Sequence, residues 1–215
     1  MPVRYEFERE LTRLHKDIIK MGAFVEESIA DSIEALKTAN IELAHHVIKN
    51  DDLIDEMEKK IARECLIIIA RQQPIATDLR DVASILKISA DLERIADHCE
   101  DICEYVILLA SEPPFRQYVH IPKMAEEVEN MIAATIDAYI RKDVEVAAQI
   151  IQNDDIIDRH FAELTDELIE MMEQDSSLAR NCTHMLFIAK YLERIADHAT
   201  NIAEWIIYYV TGEIQ

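Results

Sequence analysis

The stretch LERIADH, residues 92–98, occurs a second time without change at residues 192–198. An earlier motif behaves in the same way, because NDDLID at 50–55 returns as NDDIID at 153–158. The offset between copies is 103 residues for the earlier motif and 100 for the later one, so the halves are collinear apart from three residues. A repeat of this length forms the same structural unit twice, and the chain is therefore predicted to fold as two homologous halves.

Long helices are the secondary structure that the composition favours. Only two glycines and five prolines occur in 215 residues, which leaves little of the turn chemistry that sheets need. Asn40 and Asp143 occupy equivalent positions and are good N-caps for the second helix of each half. The predicted helices run roughly over 5–38, 41–72, 75–110, 123–141, 144–173 and 177–211.

The fold class predicted from these elements is all-α, with two tandem antiparallel three-helix bundles. Short connections force neighbouring helices to be antiparallel, and apolar residues of the third helix recur at spacings of three and four. The first bundle covers 1–110 and the second covers 123–215. Residues 111–122 hold three of the five prolines and form the predicted linker.

Charge and composition exclude several classes of function. A net charge of −21 opposes binding to nucleic acid. Two glycines cannot supply a GxGxxG or Walker loop, which excludes the common dinucleotide-binding and P-loop enzymes. The longest apolar runs are too short to span a membrane and the N-terminus lacks an apolar signal segment, so we expect a cytoplasmic protein with no direct membrane span. The four cysteines fall on apolar helical positions and are interpreted as reduced core thiols.

The repeated motifs carry four pairs of acids spaced four residues apart, which places each pair on one helical face. In a hairpin that turns at residue 74, Asp55 is level with Glu93 and Asp51 is level with Asp97. The second half repeats the geometry about its own turn. The two predicted squares of acids are Asp51, Asp55, Glu93 and Asp97, and Asp154, Asp158, Glu193 and Asp197.

Stacked carboxylates repel one another unless a cation or protons lie between them. A cation that prefers oxygen ligands is the simplest resolution, and iron, manganese, magnesium, calcium and zinc are all compatible with carboxylates. The alternative is an unoccupied acidic patch that is simply solvated. His98 and His198 point away from the squares on a helical wheel and are interpreted as interface or partly buried residues, with metal ligation as the alternative. Arg94 and Arg194 are expected to pair with neighbouring acids.

These motifs resemble the PhoU family, the accessory regulators of bacterial phosphate-specific transport. The likeness rests on NDDLID, on RQQPIATDLRDV at 71–82 and on DLERIADHCEDICE at 91–104, with NDDIID and YLERIADHATNIAEWIIY in the second half. It covers essentially the whole chain. The resemblance implies metal clusters on the bundle surface, held by the eight acids of the two squares. Asp101 continues the first set of acids, but its counterpart is Asn201, so the two sites are expected to differ.

The resemblance also implies what the protein does. Family members link the ATP-binding subunit of the phosphate ABC transporter to a sensor histidine kinase, and they keep phosphate-starvation genes silent when phosphate is plentiful. We therefore expect a non-enzymatic negative regulator that binds metal, and we also expect a homodimer.

The chain departs from the family pattern in two places. Ala96 and Ala196 replace a glycine common in the family, and the second half has EQDSSLARN where the first has the QQP turn.

A metalloenzyme with carboxylate-bridged metals, either an oxidoreductase or a phosphohydrolase, is the alternative function. Di-iron enzymes of the ferritin type need a Glu-x-x-His motif on two helices inside a bundle. The motif formed by Glu42 and His45 is not repeated in the second half, and the acid squares face outward. These features favour the regulator.

Overall fold

The computed structural model describes residues 2–112 and 121–213, with side chains from Arg4 onward. Six long helices account for nearly all of these residues, which confirms the all-α prediction. Their bounds are α1 Pro2–Thr38, α2 Ile41–Gln72, α3 Thr77–Ala110, α4 Ile121–Arg141, α5 Val144–Gln174 and α6 Ala179–Thr211, with a single 3-10 turn at Ser176–Leu178. Helices α1–α3 form the first half and α4–α6 the second.

The first turn of each half is built in the same way, as the duplication predicts. Asn40 Oδ1 accepts from the backbone N–H of Leu43 at 3.1 Å, and Asp143 Oδ1 accepts from those of Glu145 and Val146, both at 3.1 Å. The residue before each cap is left-handed, with φ 52° at Ala39 and 56° at Lys142. The two N-caps are therefore confirmed.

The second turns of the two halves differ. In the first half, Gln73 and Ala76 both have positive φ, and α3 begins at Thr77, two residues later than predicted. In the second half, Asp175 accepts from the backbone N–H of Ser177 at 2.9 Å and starts a 3-10 turn, which delays α6 to Ala179. In both halves the third helix therefore begins two residues later than predicted, because the turn residues before it are not α-helical.

Most of the predicted linker 111–122 lies outside the described residues, because 113–120 are not described. Helix α4 begins at Ile121, two residues earlier than predicted. Pro122 lies in its first turn, where a missing N–H leaves no helical hydrogen bond unmade. The domain boundary itself stays a prediction.

Helices α3 and α6 form the most extensive helix–helix interface, and α1 also contacts α4. Contacts between α3 and α6 come in swapped pairs. Lys87 lies 5.8 Å from the Trp205 ring, and the equivalent residues Tyr105 and Phe187 stack at 5.0 Å between ring centroids. A pseudo-twofold axis therefore passes between α3 and α6, near Ala96 and Ala196, and relates the two halves.

The two histidines of the repeated motif lie at this α3–α6 interface, as predicted. The His198 Nδ1 lies 2.9 Å from Asp91 Oδ1 on α3, and the His98 ring stacks on Tyr191 of α6 with 5.5 Å between centroids. The two imidazole centroids are 5.6 Å apart. Cys65, Cys99, Cys103 and Cys182 are buried free thiols, in agreement with the sequence interpretation.

Candidate metal centres

Helices α2 and α3 bring the first set of predicted ligands together. One carboxylate oxygen from each of Asp51, Asp55 and Asp97 lies within 4.8 Å of the other two. Asp51 and Asp55 are one turn apart on α2, and Asp97 is on the facing surface of α3, as the antiparallel hairpin predicted. A carboxylate triad of this size has the donor chemistry that hard cations require.

Burial makes the charge on this first cluster costly. Desolvation, together with the charges of Glu100, Asp97 and Asp55, raises the pKa of Asp51 to about 7. Burial also raises the pKa of Glu93 and of Asp97, and the neighbouring acids add to both shifts. The folded chain therefore holds carboxylates together at a cost that protons or a cation can relieve.

One buried atom supports the fit of a cation more directly. The Oδ1 atom of Asp51 is buried and has no hydrogen-bond partner among the described residues. A buried carboxylate oxygen without a donor is expensive, and native structures rarely keep one without a reason. A cation bound among Asp51, Asp55 and Asp97 would satisfy it.

Two basic side chains, Lys59 and Arg94, form ion pairs with acids of the first cluster. Lys59 Nζ lies 2.8 Å from Asp55 Oδ2, and Arg94 Nη1 lies 2.8 Å from Asp97 Oδ2. The prediction that Arg94 pairs with neighbouring acids is confirmed. Both side chains are more than half exposed, at 59% each, so these ion pairs are weak and could be displaced by a metal ion.

Glu100 belongs to the first cluster, although it is absent from the predicted set. Its charge contributes to the raised pKa of Asp51, and burial raises the pKa of Glu100 itself. The signal was available in the sequence, because Glu100 lies seven residues after Glu93 and three after Asp97 and so shares their helical face. Asp101, which was predicted, is not brought into the triad, and its Oδ2 lies 3.1 Å from His98 Nδ1.

The second cluster, between α5 and α6, has the same plan with a looser arrangement. Burial, followed by the charges of Asp197, Asp158 and Glu193, raises the pKa of Asp154 to about 6. The pKa of Asp197 is also raised by burial and by Glu193. Within the described part of the chain, no three acids of this half approach one another as closely as the first triad. Lys190 forms an ion pair with Glu193 here.

The fold and the two centres define a duplicated, all-helical protein that carries one half-buried carboxylate cluster in each half. The PhoU domain matches the chain twice, over residues 18–106 and 121–206. The chain therefore belongs to the PhoU family, and the resemblance seen in the sequence is confirmed.

Relatives and solved structures agree with this assignment. The phosphate-specific transport system accessory protein PhoU homolog of Aquifex aeolicus is 43% identical, over 96% of this chain and 93% of its own length. The homolog of Clostridium acetobutylicum is 38% identical over 96% of this chain and 95% of its length. The crystal structure of PhoU from Pseudomonas aeruginosa superposes with a TM-score of 0.94 at 36% identity, covering 96% of this chain and 100% of that one.

A second crystal structure, the phosphate transport system regulatory protein PhoU from Streptococcus pneumoniae, has a TM-score of 0.90 at 31% identity. It covers 97% of this chain and 99% of that chain. Over residues 2–112 and 121–213, none of the six helices has an apolar stretch long enough to cross a lipid bilayer.

Proposed function

We propose that this protein is a cytoplasmic accessory regulator of phosphate uptake and of phosphate-starvation signalling. It acts as a helical adaptor between the ATP-binding subunit of the phosphate ABC transporter and a sensor histidine kinase. Support comes from membership of the PhoU family and from relatives named as accessory proteins of phosphate-specific transport. These relatives align along almost their entire length, so the likeness is not confined to one half of the chain.

We propose further that metal cations occupy the two carboxylate clusters. The observation that carries this part is the first triad, where the unpaired Oδ1 of Asp51 is buried beside Asp55 and Asp97. Iron, manganese, magnesium or zinc all fit carboxylate ligands. A bound cation would join α2 to α3 in one half and α5 to α6 in the other, and so stiffen each half.

The test is a pair of substitutions that removes charge without touching the apolar core. Glu93→Gln with Asp97→Asn should strip metal from the first cluster and weaken the silencing of phosphate-starvation genes in phosphate-replete cells. Asp166→Asn with Glu170→Gln is the matched control, because these acids have the same spacing on α5 and are exposed. Elemental analysis of untagged protein and a starvation-promoter reporter give the two readouts.

Normal metal content in the Glu93/Asp97 variant would contradict the metal proposal, and normal silencing after metal loss would contradict its regulatory role. The same preparations also address the enzyme alternative. Metal-loaded wild-type protein should hydrolyse p-nitrophenyl phosphate and consume oxygen no faster than the free metal does. Turnover that is fast in the wild type and lost in the Glu93/Asp97 variant would favour the metalloenzyme instead.

A further inference from the structure

The face of the molecule opposite α3 and α6 carries two depressions that the duplication relates. One, of about 210 Å³, lies between α1 and α2, and the other, of about 270 Å³, lies between α4 and α5. Each residue that lines the first is matched, 103 positions later, by a residue that lines the second. The equivalent pairs include Asn50 with Asn153, Leu53 with Ile156, and Ile54 with Ile157.

A third depression, of about 330 Å³, lies between α1 and α4 on the pseudo-twofold axis. Six of its seven lining residues form equivalent pairs, namely Glu26 with Glu129, Ile29 with Ile132, and Ala30 with Ala133, and the seventh is Glu27. The small alanines leave the space, and α1 and α4 approach closely beside it, where a Cβ on Gly22 would lie 2.8 Å from Ile136 Cδ1. The three depressions therefore form one row across α2, α1, α4 and α5, with the axis at its centre.

The carboxylate clusters do not use this face, because they lie between α2 and α3 and between α5 and α6. The repeated NDDLID motif serves both sides of α2. Asp51 and Asp55 face α3, whereas Asn50 and Leu53 line the outer depression towards α1. Leu53 is 50% exposed, a high value for a leucine in a motif that is kept in both halves. The metal proposal explains Asp51 and Asp55 of the motif. It leaves Leu53 without a role, and among the described residues Asn50 forms a side-chain hydrogen bond only with His46, one turn earlier on α2, at 3.0 Å.

All the charged residues that line the row of depressions are acidic. Five acids line it, and among the described residues no lysine or arginine does so. The acids are Glu26, Glu27, Asp31, Glu127 and Glu129. Burial, followed by the charge of Asp137, raises the pKa of Glu26, so part of this negative charge is already costly. The depressions are also lined by the buried apolar side chains of Ile29, Ile54 and Ile132.

We propose that this face docks a protein partner of two-fold symmetry, a homodimer that presents the same lysine- or arginine-bearing apolar segment to each outer depression. The partner's axis would coincide with the central depression. Charge complementarity supports a basic surface, because an acidic partner or a nucleic acid would be repelled. The matched positions and the shared apolar residues support symmetry, because Leu53 and Ile54 in one depression and Ile156 and Ile157 in the other offer an apolar contact twice, and a dimer gains from binding both at once. Each outer depression also carries acid, although at different positions: Glu27 and Asp31 in the first and Glu127 in the second. The inference rests on the proposed function in that an accessory protein needs a docking surface.

The test uses a defined probe in place of the natural partner. An 18-residue helical peptide of lysine and leucine with one terminal cysteine is prepared as an alkylated monomer and as a disulfide-linked dimer. We expect wild-type protein to bind the dimer at least ~10-fold more tightly than the monomer in calorimetry at physiological salt. Glu27→Lys with Glu127→Lys should weaken dimer binding at least ~10-fold. Ala133→Trp should fill the central depression and abolish the preference for the dimer without any change of charge.

Asp166→Lys with Glu170→Lys is the matched control, because it adds the same charge at exposed acids of α5 outside the depressions. It should change affinity less than about two-fold, since the remaining acids are untouched. Equal losses in both charge variants, or no preference for the dimeric peptide, would overturn the proposal. A wild-type protein that sediments as a dimer, and that Ala133→Trp dissociates, would assign the face to a second copy of this chain instead.

The reporter for phosphate-starvation genes gives a cellular readout of the same variants. Glu27→Lys with Glu127→Lys should lose silencing, and the Asp166/Glu170 control should keep it. None of these residues belongs to a carboxylate cluster, so metal content should stay normal in all of them. Lost silencing with normal metal content in the docking variant would support the docking face. Intact silencing in that variant would contradict the docking face while leaving the metal proposal standing.

Discussion

The two carboxylate clusters descend from one repeated plan, yet the first is tighter and more negative than the second. Glu100 adds a charge beside Asp51 in the first half, whereas Thr200 occupies the equivalent position in the second and donates to the backbone oxygen of Ala196 at 3.1 Å. Lys190 adds a positive charge to the second cluster, and the residue at the equivalent position of the first half is Ala90. Lys59 beside Asp55 balances Lys190, because its own equivalent in the second half is Ala162. The additional charge of Glu100 is therefore what raises the pKa of Asp51 further than that of Asp154.

This difference indicates that a duplicated site can keep its geometry while its charge diverges. The acids of each cluster lie on helix faces that the core fixes, so both halves retain four acids at corresponding positions. The neighbours of those acids are half-exposed and can change at little cost to folding. We therefore expect the first cluster to bind metal more tightly than the second.

The largest effect should come from removing ligands in one half at a time. Asp51→Asn with Asp55→Asn should lower metal affinity of the first cluster by more than ~100-fold, because changes that merely reorient a ligand already cost about 10- to 100-fold. Asp154→Asn with Asp158→Asn should have the same effect on the second cluster alone. Elemental analysis and calorimetry of both variants check this. If either variant lost metal from both halves, the clusters would not be independent sites.

The two clusters should take up protons at different pH values, because the pKa of Asp51 is higher than that of Asp154. In chelated protein, Asp51 has a pKa of about 7 and Asp154 of about 6, both above the ordinary value of 3.8. The folded state then binds more protons than the unfolded state, so the free energy of unfolding should fall as the pH rises from about 4 to about 7. Urea denaturation of the chelated protein at several pH values measures it.

Because a metal competes with the same protons, metal affinity should weaken below about pH 7 at the first cluster and below about pH 6 at the second. Asp51→Asn should flatten the upper part of the stability profile, and Asp154→Asn should leave that part unchanged. Chelated protein that becomes more stable between pH 5 and pH 7 would show that other groups dominate the titration.

The smallest effect should come from exchanging the residues that distinguish the clusters. Glu100→Thr should weaken metal binding at the first cluster by about 10-fold, since one neighbouring charge at an intermediate dielectric is worth about 1–2 kcal/mol. Thr200→Glu should strengthen the second by a similar factor. Glu104→Thr is the control, because Glu104 lies one turn beyond Glu100 on α3 and is exposed. Unequal clusters that stay unequal after the exchange would place the cause elsewhere, with Lys190 the next residue to replace.

Much of the site could be predicted from the sequence because its geometry is local. The spacing of Asp51 and Asp55 places both on one face of a helix, and the hairpin turn near Pro74 sets Asp97 opposite them. The same reasoning could not separate Glu100 from Asp101. Both lie on the solvent side of the apolar stripe at spacings that fit the cluster. In the folded chain Asp101 contacts His98 three residues earlier on α3, whereas Glu100 lies beside Asp51 of α2.

The duplication, the six helices, the N-caps at Asn40 and Asp143 and the pairing of acids within each hairpin could all be predicted from the sequence. Each of these depends on repeated motifs, on residues close in the chain or on short turns, where periodicity and capping chemistry act directly. The pseudo-twofold axis, the α3–α6 interface and the central depression between α1 and α4 emerge only in the folded molecule. Those features join residues about a hundred positions apart, and they depend on how two apolar surfaces pack, which no local pattern encodes.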